Sequence, residues 1–242
     1  MNTIVNPIRI RRALSLAVML CMAMAMPVAA QSPDPTLERV MGTTGTAAIQ
    51  ALIAELEAGS SPKKDLYVGI ALHNLATGDP ATWAQKAADR LVLYKGSERA
   101  ALAMAYRGSA VTLVASALSA KGNLIGAAAK LNEGFGIMDK AVKADPADVA
   151  IRILRAENGL SISETTPFNR VTQVKEDVAY LGTLTARMSA GSLSQYYLMA
   201  GRLALLERRA GDAITLLEKS VAAAPGSDTA KRAAELLAEL EE

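Results

Sequence analysis

From Thr46 onward, apolar side chains recur every three to four positions and are interrupted at short intervals by Gly, Pro, Asn and Asp. Ile49, Leu52, Ile53 and Leu56 have the spacing of one helix face, and the run stops at Gly59. Ser61-Pro62 then supplies a cap and a proline at the first helical position, which predicts a helix to about Thr77. Gly78-Asp79-Pro80 turns the chain into a third helix ending near Tyr94. Ser97 caps a long helix from Glu98 to Lys121, closed by Gly122-Asn123, and Leu124 to Ala144 forms another. Asp145-Pro146 restarts the chain, with Asp148 in the first turn at the positive end of the helix dipole, and that helix fades at SISETTPFN. Val171, Val174, Val178, Leu181 and Met188 make one stripe to about Met188. Ser192 opens the next helix, Gly211-Asp212 turns it, and Pro225-Gly226-Ser227 separates the last two. No run of strand length alternates β-branched or aromatic residues with polar ones. The pattern predicts an all-α fold of about ten helices whose short links make neighbours antiparallel.

The chain before Thr46 follows different rules. Arg9, Arg11 and Arg12 lead into the apolar run Ala13 to Met26, which is too short to span a bilayer as a helix. Pro27 breaks the run, and Val28-Ala29-Ala30 places small residues where a signal peptidase requires them. We expect residues 1–30 to be a signal peptide cleaved between Ala30 and Gln31, giving a periplasmic or secreted protein. Residues 31–45, rich in Ser, Pro, Gly and Thr, read as a flexible leader, and residues 46–242 as one helical domain.

Cleavage changes the charge argument. The full chain carries 26 basic and 24 acidic residues, and the signal segment removes three arginines and no acid. The remainder has a net charge of −1, so no basic surplus argues for nucleic acid. The single cysteine, Cys21, leaves with the segment, and disulfides and thiol chemistry leave with it.

Helix pairs at a spacing near 34 residues are a repeat signature. In YYLMAGRLALLERRAGDAITLLEKSVAAAPGS, Tyr197 takes a large position, Gly201 the small crossing position, and Ala213, Leu217 and Ser220 the second helix, with Pro225 ending the unit. DLYVGIALHNLATGDPATWAQKAADRL carries Tyr67, Ile70, Ala71 and Gly78-Asp79 at matching places, with Trp83 where alanine is expected. MDKAVKADPAD is a third echo. These stretches resemble the tetratricopeptide-repeat (TPR-like) superfamily. AYRGSAVTL and NEGFGIMDKAVKADPADVAIRILRAENGLSI are similar to a group of exported bacterial TPR-like proteins. The resemblance implies helix pairs stacked as a right-handed solenoid whose first helices line a concave groove. Carried onto this sequence, the groove positions are Asp65, Val68, Leu72, Leu75 and Ala76, and Gln195, Leu198, Arg202, Leu205 and Leu206. Arg202 and Leu205 would share an exposed face one turn apart.

Candidate chemistry is sparse. His73 is the only histidine, with Asn74 beside it and no clustered acidic or hydroxyl partners nearby in sequence, and no metal, phosphate-loop or nucleophile-elbow spacing occurs. Glu55 with Glu57, or Glu164 with Asp177, could form carboxylate pairs, although solvated helix faces account for them. Arg107 interrupts the apolar helix after Glu98, leaving Gly108 to Ala120, too short for a membrane span. Tyr106-Arg107 and the Ser161 to Asn169 segment are further candidates. The expectation is a non-catalytic module without cofactor or metal, binding a protein or peptide along the groove. The alternative is a carrier or chaperone-like protein holding an apolar ligand between its long central helices. A carboxylate enzyme comes third. An enclosed apolar space would favour the carrier, and an open groove the protein partner.

Overall fold

The computed structural model describes residues 34–241, and the signal-peptide reading lies outside them. Eleven α-helices and no strand are found among the described residues. They are α1 (Pro35–Gly42), α2 (Thr46–Ala58), α3 (Lys64–Gly78), α4 (Pro80–Leu93), α5 (Ala100–Ala120), α6 (Leu124–Ala144), α7 (Val149–Thr165), α8 (Val171–Gly182), α9 (Ala190–Leu206), α10 (Ala210–Ala223) and α11 (Asp228–Glu241).

Side chains set several of the starts. Asp79, Asn123 and Asp148 accept hydrogen bonds from the backbone N–H groups of Thr82, Gly126 and Ile151, each satisfying an otherwise orphaned donor. Other starts differ from the sequence pattern. Residues 35–42 of the expected leader form α1. Asp34 accepts from the Leu37 N–H at 3.0 Å, Pro35 occupies the first turn, and Leu37, Val40 and Met41 are buried. α3 begins at Lys64 rather than at Pro62, and α5 begins after Arg99, whose φ is 63°. α7 continues through Ser161 to Thr165, so the irregular link is only 166–170. α8 stops at Gly182, and one 3-10 turn covers Thr185–Arg187.

Four antiparallel pairs, α3/α4, α5/α6, α7/α8 and α9/α10, make most of the packing. Each pair closes on a glycine in its first helix. A Cβ on Gly69 would lie 2.5 Å from Leu91 Cγ, one on Gly159 2.7 Å from Val174, and one on Gly201 2.9 Å from Leu217. At α5/α6 the contact is backbone on backbone: a Cβ on Gly108 would meet the Gly134 carbonyl oxygen at 2.7 Å, and the converse also holds. Gly201 therefore occupies the crossing position read from the sequence.

α5 is the one helix among the described residues long and apolar enough to cross a membrane, Arg107 included. Most of it is buried against α3, α4, α6 and α7, which is how the core helix of a folded domain meets the same criterion. Two larger apolar cores flank it. One joins α1 to α5 with α6 and α7 around Leu66, Ile70 and Ile151, and the other joins α7, α8 and α9 around Leu160, Leu181 and Met199.

Candidate ligand-binding cavity

The helices do not fill the space they enclose. A cavity of about 640 Å³ lies between α3, α5, α6, α7, α9 and α11. Its walls follow helical periodicity. α6 contributes Leu124, Ala127, Ala128 and Leu131, and α5 contributes Thr112, Leu113, Ala115, Ser116, Ser119 and Ala120. α7 presents Leu154, Glu157, Asn158, Ser161, Ile162 and Thr165, a face about 16 Å long at the helical rise per residue. The 166–168 link closes one side with Pro167 and Phe168. The space exists because α5 and α6 carry Ala and Ser where Leu would meet its neighbour. Ser119, Ala120, Leu124, Thr165 and Pro167 are exposed and mark the rim, where Leu124 is 67% and the adjacent Ile125 88% exposed.

One wall is a neutral polar cluster. His73 from α3 is buried, with Nε2 2.8 Å from Ser109 Oγ on α5. Asn158 Nδ2 donates to Ser109 Oγ at 3.0 Å and to the Leu154 carbonyl, while the Thr112 hydroxyl donates to Asn158 Oδ1 at 2.7 Å. The Tyr106 ring meets His73 edge-on, with centroids 5.1 Å apart. Burial pushes the His73 pKa down to about 4 against the opposing Asn74 side chain, so the ring is neutral near pH 7. Its Nδ1 is buried with no hydrogen-bond partner. A histidine activating Ser109 would need an orienting group there and a proton affinity near the working pH. Nδ1 meets no carboxylate among the described residues, and burial holds the ring's proton affinity down.

The other wall is ionic. Arg202 on α9, buried, donates through Nε and Nη2 to both oxygens of Glu164 at 2.8 Å and through Nη1 to Glu157 Oε2 at 2.6 Å. Burial opposes its charge, but the two carboxylates hold its pKa above the ordinary arginine value. Arg232 on α11 also lines the cavity and makes no hydrogen bond or ion pair with the described residues. Burial, and then the charge of Arg202, push its pKa down.

The positions expected to form a groove are dispersed. Val68 is buried, Leu75 is buried in the first core, and Ala76 is buried against Leu113. Gln195 and Leu198 are buried too, Leu198 against Leu217 and Ala233. Leu72, Leu205 and Leu206 are half-buried, and Asp65 pairs with Arg90 at 2.8 Å. Only Arg202 among them reaches the cavity. The expectation of an exposed Arg202–Leu205 face is corrected: α7 covers Arg202 with two carboxylates, and the side chain is 3% exposed. The proposed carboxylate pairs are also separated, since Glu55 bonds Arg39, Glu57 bonds Arg90, Glu164 bonds Arg202 and Asp177 bonds Arg152 and Arg155. Of the other candidates, Tyr106 and residues 161, 162 and 165–168 do line the cavity, whereas Arg107 is half-buried away from it.

Sequence reasoning missed the cavity's ionic wall because Arg202 lies 38 and 45 residues from its two carboxylates, and Arg232 reads as part of a solvated face in DTAKRAAELLAELE. A signal was present nonetheless. Small residues recur at helical spacing on two consecutive long helices, Ala115, Ser116 and Ser119 facing Ala127 and Ala128. No family model, curated protein or solved structure matches this chain, so its functional reading rests on the residues of this cavity.

Proposed function

We propose that this chain is an exported, non-catalytic binding protein, built on TPR-like helix pairs, that carries a small and largely apolar ligand in its interhelical cavity. The observation that carries the reading is the cavity itself. Its volume of about 640 Å³ falls within the range of roughly 300–1,000 Å³ that encloses small ligands, and apolar walls with a few placed polar groups are the composition such sites share. The long central helices that bound it are those from which the carrier alternative was drawn. A peptide groove along the first helices has less support, because Val68, Leu75, Leu198 and Arg202 are spent on interhelical packing. The four glycine-closed pairs support the TPR-like reading, and the N-terminal pattern of the sequence supports export.

The neutral fluorescent probe N-phenyl-1-naphthylamine tests the cavity. The protein from Gln31 onward should enhance its emission. Ser116→Leu and Ala128→Leu, at half-buried wall positions, should each abolish the enhancement while leaving far-ultraviolet circular dichroism unchanged. Enhancement that survives both substitutions would place the binding elsewhere and remove the proposal.

A further inference from the structure

Resting on the reading of the cavity as a ligand site, we infer that the ligand is an amphipathic monocarboxylate, with its carboxylate on the Arg232 guanidinium and its apolar body along the α5–α6 wall. Three charged residues line the cavity, Glu157, Arg202 and Arg232, and Glu164 is bonded to Arg202 beside it. Of these four charges, three are committed to each other: both Glu164 oxygens and Glu157 Oε2 are turned to Arg202, at 2.6 to 2.8 Å. Arg232 feels Glu157, Glu164 and Glu235, yet bonds none of them, and Arg202 repels it. Arg232 is half-buried and faces the cavity, so its guanidinium is open to an acceptor that arrives there. The acceptor best matched to its planar fork is a carboxylate, through paired charge-assisted hydrogen bonds.

The remaining polar groups argue against the opposite charge. A cationic ligand would need an available carboxylate oxygen, and the one left over, Glu157 Oε1, is buried with no accessible surface. The neutral cluster of His73, Ser109, Thr112 and Asn158 is largely satisfied internally and adds no net charge. The α5–α6 side of the lining is aliphatic or small, from Leu113 and Ala115 to Ala127 and Leu131, and it ends at the exposed Leu124 on the rim. A polar head at α11 and an apolar body along α5 and α6 therefore share one enclosed space.

Decanoate, 1-decanol and decyltrimethylammonium present the same chain with three heads. In calorimetric titration of the protein from Gln31 onward, decanoate should bind ~10-fold or more tightly than 1-decanol, the margin that hydrogen bonding to a charged group supplies. Arg232→Met should erase that margin while leaving 1-decanol binding unchanged, and Arg232→Lys should restore part of it. Circular dichroism of each variant verifies its fold, and Arg232→Gln serves if the methionine variant is insoluble. Equal affinity for decanoate and 1-decanol, or tighter binding of the ammonium compound, would overturn the inference while leaving the cavity reading intact. An apolar hexapeptide with a free C-terminus separates the remaining source of such a carboxylate: tighter binding of the peptide than of decanoate would overturn the assignment to a small amphiphile. Absence of the naphthylamine enhancement together with absence of decanoate binding would remove both readings at once.

Discussion

Two ionic clusters hang from opposite sides of α7, and they are completed to different degrees. On one side Asp177, fully buried on α8, accepts from Arg155 Nε at 2.7 Å, from Arg155 Nη2 at 2.8 Å and from Arg152 Nη1 at 2.8 Å. Arg155 also reaches Asp139, which accepts from Arg170 through both oxygens, and the Arg170 guanidinium lies 4.6 Å over the Phe135 ring. Every guanidinium there has a carboxylate from another helix. On the cavity side Arg202 is equally well held, but Arg232 is left without an acceptor and Glu157 Oε1 without a donor. Both clusters are buried arginine–carboxylate systems with similar distances. Each side leaves one buried atom unbonded, Arg170 Nε on the first and Glu157 Oε1 on the second. The difference is that the first has a carboxylate for every guanidinium and joins α6, α7 and α8, while Arg232 on the second faces the cavity without one among the described residues. A closed cluster specifies packing. On the cavity side, Arg232 is the group that the proposed carboxylate would meet.

The largest expected effect breaks the closed cluster. Arg155→Met leaves Asp177 buried with only Arg152, and removal of one member of a buried ion pair typically costs about 3 kcal/mol or more. Urea unfolding should show that loss in the midpoint, and decanoate affinity should be unaltered in the fraction that remains folded. A variant as stable as the wild type would mean that the cluster does not hold α7 to α8, and the contrast with the cavity side would lose its basis.

What could be read from the sequence divides along similar lines. Helix pairs and the Gly201 crossing were legible because periodicity and small-residue positions are local signals. α1 was missed because Ser, Pro and Gly suggested a leader, although Asp34-Pro35 is also a cap followed by a first-turn proline. The groove assignment took Arg202 as exposed because a family register places residues on a face but does not say what covers that face. Glu157 and Glu164, seven residues apart on α7, are what cover it. The His73 cluster was equally invisible, since Ser109 and Asn158 lie 36 and 85 residues from it along the chain.

A second, smaller effect concerns that cluster and reads its burial through pH. The folded-state pKa of His73 is about 4, below the ordinary histidine value near 6.5, so the unfolded chain takes up a proton in that window and the folded chain does not. Stability from the neutral ring is therefore complete above pH 6.5 and is lost as the pH falls toward 4. Burial raises the pKa values of Asp148 and Asp177, which act in the opposite sense, so the histidine contribution is read as a difference between proteins. Between pH 6.5 and 4.5 the wild type should lose roughly 2 kcal/mol more than His73→Gln. Parallel pH profiles would show that the ring is hydrated, and the wall it forms would then be open to water.

The smallest effect on stability is the sharpest test of the comparison, because the two clusters predict different outcomes for the same change. Arg232→Met removes a guanidinium that has no partner and whose charge is disfavoured by burial and by Arg202. Nothing is orphaned by its loss, because both oxygens of Glu164 and Oε2 of Glu157 stay on Arg202. The methionine keeps an apolar stem against the cavity wall. The ligand-free variant should therefore unfold within about 0.5 kcal/mol of the wild type, or slightly above it, in contrast to Arg155→Met. Saturating decanoate should then separate the pair again: it should raise the melting temperature of the wild type more than that of the variant, since only binding to the folded state stabilises it. A large loss of ligand-free stability in Arg232→Met would mean that Arg232 is a structural member of the Arg202 cluster. Both sides of α7 would then be closed, and the cavity would have no head-group site.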